Sequence, residues 1–226
     1  MTHETANLIR RLAGAAAPIR PLPSPWRRTA LWCAISLPYL ALLYAVLPRR
    51  GATVPLDERF VLEQAAALAT GLTAAVAAFA TVIPGYSRRV LLAPVAALAV
   101  WVANISRTCA TEWEAAGSLP PVLIHWACLP TTLVAGVVPV AAILIMLRRG
   151  APIAPRLTTA LAALATAGVA NFAVRFVHAF DSGLVVLAWH IAAVLLLSAM
   201  ATSAADVVFS WRRLMTAAGA LTSSHR

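Results

Sequence analysis

The chain reads as long apolar runs interrupted by proline, glycine and paired arginines. A bilayer core about 30 Å thick is crossed by roughly 20 apolar residues in a helix, and six runs reach that length: 29–48, 60–83, 90–108, 122–147, 157–179 and 184–206. The breaks are Pro48-Arg49-Arg50-Gly51, Pro84-Gly85 with Arg88-Arg89, Pro120-Pro121, Arg148-Arg149-Gly150 with Pro152 and Pro155, and the short Asp181-Ser182-Gly183. The pattern predicts an all-α protein, a six-helix transmembrane bundle. Small residues, as in AAALATGLTAAVAA and LTTALAALATAG, predict close helix packing. Pro130 and Pro139 are expected to kink the fourth span.

A different pattern precedes the first span. Residues 5–16, TANLIRRLAGAA, predict a short amphipathic helix with Leu8 and Leu12 on one face, Ile9 beside them, and Arg10 and Arg11 turned elsewhere. Alone in water such a length is marginal as a helix, so it is expected to order on a partner or on the inner-leaflet surface. Pro18, Pro21, Pro23 and Pro25 follow as an extended spacer. Arg10-Arg11 does not read as a twin-arginine export signal, because the run behind it is short and weakly apolar. Three regions result: a cytoplasmic N-terminal segment 1–28, a transmembrane domain 29–209 and a cytoplasmic tail 210–226.

Composition agrees with the pattern. Of 226 residues 61% are apolar and 12% charged, with a mean hydropathy of +0.82, which a soluble domain of this size does not normally combine. The 18 basic side chains, all arginine, face 8 acids. In a soluble chain that excess would point to nucleic acid, but here the arginines flank apolar runs and act as topology signals, so no direct nucleic-acid partner is expected. With the N-terminus inside, thirteen arginines fall in cytoplasmic segments and four outside: Arg49, Arg50, Arg59 and Arg107. Arg175, near the outer end of the fifth span, is expected to snorkel to the interface. The prediction is a multi-pass membrane protein with both termini cytoplasmic and the lipid bilayer as partner.

Candidate chemistry gathers near the outer face. Cys109 and Cys128 fall there, Cys33 near the inner one, and His125, His178, Asp181 and His190 lie near the same outer level, with Glu112 and Glu114. His125 and Cys128 are three apart, one face of a helix, and two outer thiols are able to form a disulfide or bind a soft metal ion. Interfacial His and Trp and inert buried Cys are the competing reading. No cofactor is otherwise expected, and the metal set is left open. Signatures such as GxSxG, HExxH or a phosphate-binding loop are missing, so the chain does not read as an enzyme. A small transporter or channel, or a structural membrane subunit, are the alternatives.

Five segments together resemble the NrsF-type membrane-bound negative regulators of extracytoplasmic-function sigma factors: LIRRLAGAAAPIRPLPSPWRR, PGYSRRVLLAP, WACLP, LRRGAPIAPRLTTALA and HAFDSGLVVLAWH. The resemblance covers nearly the whole chain. It implies a polytopic anti-sigma factor of the bacterial inner membrane that captures an extracytoplasmic-function sigma factor with its N-terminal segment and releases it on an envelope, metal or oxidative stress signal, so repressing transcription of a stress response. Leu8, Ile9 and Leu12 become apolar anchors in a groove on sigma, with Arg10 and Arg11 at its rim. The family's two sensing cysteines are matched only at Cys128. The second position reads His178-Ala179, which leaves Cys109, His125, His178, Asp181 and His190 as the remaining sensing candidates.

Overall fold

The structure, a computed structural model, describes residues 3–15, 22–47, 57–116, 128–150 and 154–177, with isolated helical positions at 192, 195, 196, 199 and 203. The sixth expected span apart from those positions, and the C-terminal tail, lie outside the described residues. Among the described residues there are six α-helices: α1 (His3–Ala15), α2 (Pro25–Val46), α3 (Glu58–Ala80), α4 (Leu92–Ala116), α5 (Cys128–Arg148) and α6 (Pro155–Val177), with a 3-10 turn at Arg88–Leu91. Five of them, α2 to α6, are long and apolar enough to cross a membrane.

Local sequence explains the ends. Pro25 occupies the first turn of α2, where its missing N–H has no intrahelical partner to lose. Asp57 caps α3 by accepting from the Phe60 N–H at 3.0 Å. Gly85 turns the chain after α3 with φ +78°, a conformation that a side chain disfavours. Pro130 falls in the first turn of α5, so the expected kink there does not arise. Pro139 is the proline inside that helix, as Pro38 is inside α2. α4 runs on through Glu112, Trp113 and Glu114 to Ala116, beyond the apolar stretch that marked it.

Packing forms one main core and one annex. Trp32 of α2, Phe79 of α3, Ile143 and Leu147 of α5 and Val169 of α6 are fully buried together. α4 packs on α3 through Trp101 and Ile105 against Ala66 and Ala67. The closest seam is α3 with α6, where a Cβ on Gly168 would stand 2.6 Å from the Gly71 nitrogen and 2.8 Å from the Ala67 carbonyl oxygen. Only a pair of glycines lets the two backbones approach so far. Leu31, Leu42, Val95, Val100, Val137 and Ile145 stay exposed on α2, α4 and α5, an apolar periphery of the kind that lipid covers.

Candidate functional site

The first site is built on α1. Its backbone is helical from His3 to Ala15, carrying Leu8, Ile9, Arg10, Arg11 and Leu12 within little more than one turn. Leu8 is 57% and Ile9 52% exposed, and Arg10 and Arg11 are exposed as well. Among the described residues α1 has no extended contact with the other helices. Among the described residues its apolar pair is therefore largely uncovered. This is the surface needed for a helix that beds into a groove elsewhere.

What joins this segment to the bundle is Arg28. Trp26 and Arg27 are exposed, but Arg28 is buried, its guanidinium donating to the Met146 carbonyl of α5 and lying 4.4 Å from the centre of the Phe79 ring. Around it the ends of α3, α5 and α6 converge. Gly150 sits so close to Val82 that an added Cβ would meet its side chain at 2.9 Å, and Thr81 and Thr158 share a hydroxyl hydrogen bond of 2.7 Å. Three stretches far apart in sequence, around Arg28, Thr81-Val82 and Met146–Thr158, meet at one end of the bundle. Arg27, Arg88, Arg89, Arg148, Arg149 and Arg156 are exposed there.

From that end α2 reaches along α5 by two further side chains. Trp32 Nε1 donates to the Pro139 carbonyl at 2.9 Å and Tyr39 Oη to the Val134 carbonyl at 2.7 Å. Sequence reading had no signal for these bonds, since the acceptors are main-chain oxygens and carry no residue preference.

Of the sensing candidates, the described residues include Cys109 and the backbone of Cys128. Cys109 is a free thiol, half-buried on α4 beside Ala66, Ala67, Trp101 and Ile105. Cys128 opens α5, a helix that packs on α2 and α6, whereas α4 packs on α3. His125, His178, Asp181 and His190 lie outside the described residues. Among the described residues no three His, Cys, Asp or Glu side chains come near enough to hold a metal ion. Cys33, on α2, is partly buried and free.

Arg175 is the main correction to the sequence reading. Instead of snorkelling outward it is buried between α6 and α3, its Nε 3.0 Å from Glu63 Oε1 and its guanidinium carbon 5.6 Å from the Phe60 ring centre. An acid at the same level on the adjoining helix supplies the counter-charge, and a paired charge inside the bundle competes with one stretched to the interface. One turn along α6, Asn171 is buried with neither amide atom hydrogen-bonded among the described residues.

No curated protein and no solved structure matches the chain. The NrsF family, described as negative regulator of sigma F, matches residues 12–211. Leu12 opens that match, while Leu8, Ile9, Arg10 and Arg11 precede it. The basic loops that meet around Arg28 and the five apolar helices all lie inside it. The match spans most of the sequence, and its printed description is regulatory rather than enzymatic: the chain belongs to the NrsF family of negative regulators of a sigma factor.

Proposed function

We propose that this protein is a membrane-embedded anti-sigma factor that sequesters an extracytoplasmic-function sigma factor through α1 and lets it go when a signal reaches the opposite side of the inner membrane. The observation that carries the reading is α1 itself: a helix whose Leu8 and Ile9 are exposed and which makes no extended contact with the other described helices. The exposed arginines around the entry of α2 support an orientation with this end in the cytoplasm, since basic side chains are retained there. Cys109 and Cys128 then lie toward the outer side. Metal or oxidant sensing there runs through one or both thiols, with His125, His178, Asp181 and His190 as further contributors. A ligand or oxidation acts by favouring the releasing conformation.

The energetics of capture follow from the helix face. Burying Leu8, Ile9 and Leu12 contributes about 1.5–3 kcal/mol each, reduced by the cost of ordering the segment on its partner. Removing one anchor therefore weakens capture by about tenfold or more.

The test pairs biochemistry with transcription. Affinity purification from native membranes is expected to recover a sigma factor with the intact chain and to lose it when residues 2–22 are deleted, and Leu8→Asp is expected to derepress the sigma regulon while the protein stays in the membrane. Equal sigma recovery with the deleted form, or an unchanged regulon in Leu8→Asp cells, overturns the role of α1. Substrate-dependent flux in proteoliposomes without sigma recovery would support transport in its place.

A further inference from the structure

At the end of the bundle opposite the start of α2, a cavity of about 220 Å³ opens between the first turns of α3 and the later turns of α4. Two guanidinium groups from different helices line it, Arg59 and Arg107, together with the Glu58 carboxylate. Asn104 ties the walls by donating to the Arg59 carbonyl at 3.3 Å, and Arg59 reaches Thr111 Oγ1 at 3.4 Å. Thr108 and Thr111 satisfy their own hydroxyl protons on carbonyls of α4, at 3.1 and 2.9 Å. Their oxygens thus give the cavity acceptors, and the arginines give it donors. Among the described residues no hydrogen bond or ion pair engages the Arg107 guanidinium.

Other acids lie nearby: Asp57 is the α3 cap, Glu63 pairs with Arg175, Glu112 has interactions of its own, and Glu114 is exposed on the last turn of α4, outside the lining. What the cavity presents is therefore two positive forks with one negative group at their edge. A simple anion uses only part of that. A phosphate ester carrying an ammonium group uses all of it, with the phosphate across Arg59 and Arg107 and the ammonium toward Glu58. Leu62 lines the same cavity, and the exposed apolar flank of α3 continues from it with Val61. The site thus stands where two spanning helices leave the apolar layer, at the level of headgroups.

We infer that this cavity binds a phosphoethanolamine group, presented as the headgroup of a phospholipid in the outer leaflet. The inference rests on the membrane placement proposed above and not on the sigma-factor reading. It gives the outer end of the protein a direct contact with the chemistry of the envelope.

The test uses full-length protein, purified in detergent and stripped of lipid. Its melting temperature is followed with phosphatidylethanolamine, with diacylglycerol of the same acyl chains and with soluble phosphoethanolamine. Phosphatidylethanolamine is expected to raise it by several degrees while diacylglycerol does not. A rise with the lipid alone assigns the source to the bilayer, and a rise with soluble phosphoethanolamine too assigns the affinity to the headgroup itself. R59Q/R107Q is expected to weaken the lipid's effect by about tenfold or more in half-saturating concentration, and E58Q to erase the preference over phosphatidylglycerol. Equal protection by diacylglycerol, a measurement that needs no variant, overturns the inference, as does undiminished protection of R59Q/R107Q. Failure of the membrane placement looks different: alkaline washing would then release the protein from membranes.

Discussion

The seam between α2 and α5 and the seam between α3 and α6 hold the same bundle together by opposite means. Along the first, three side chains of α2 stretch to main-chain carbonyls of α5: Arg28 to Met146, Trp32 to Pro139 and Tyr39 to Val134. Along the second, backbone meets backbone at Gly71 and Gly168, and the long-range polar links are Glu63 with Arg175 near one end and Thr81 with Thr158 near the other. A seam made of reaching side chains tolerates changes in helix spacing. A seam made of backbone contact tolerates no added atom, and its buried charges tolerate no lost partner. The helix that carries α1 is thus attached through the more adaptable of the two.

This contrast breaks most sharply at Glu63. Glu63→Leu leaves Arg175 buried without its acid and is expected to lower stability by about 3–5 kcal/mol, whereas Glu63→Leu with Arg175→Met returns close to the parent; thermal melts of the two purified proteins decide it. Gly168→Ala places a methyl group against the Gly71 backbone and is expected to cost about 1–3 kcal/mol, read in the same melt. On the other seam, Tyr39→Phe keeps the ring and loses one hydrogen bond, for about 1 kcal/mol. The smallest change has the reverse sign: Asn171→Leu keeps a branched shape, removes two unbonded amide atoms and is expected to raise stability by about 1 kcal/mol or less. A melting temperature lowered more by Tyr39→Phe than by Gly168→Ala would contradict the ranking of the seams.

Much of the architecture was legible before any coordinates. The runs at 29–48, 60–83, 90–108, 122–147 and 157–179 correspond to α2 to α6, and the amphipathic stretch at 5–16 to α1, because length and hydropathy suffice to mark a spanning helix and a 3.6-residue period marks an amphipathic one. Which helices are neighbours was not legible. A helix in lipid is apolar on its outer and inner faces alike, so periodicity does not say what lies against it. Glu63 and Arg175 stand 112 residues apart, and each alone looked like an interfacial charge; their shared depth near the outer ends of two spans was the signal available. Cys109 shows the reverse problem. Residue type drew attention to it, yet its surroundings are the apolar contacts of α3 with α4.

The chain between Ala15 and Pro25 sets a limit of another kind. Ten residue steps of polypeptide, even fully drawn out, reach about 35 Å, so whatever α1 holds is kept on a leash no longer than that from the point where α2 begins. Under the proposed function such a captive is denied the chromosome by distance as well as by occupancy. It is also confined to a thin layer beside the membrane, where a captive that slips off meets α1 again before it diffuses away. Geometry then supplies part of the silencing that three leucine-sized anchors alone would have to supply through affinity.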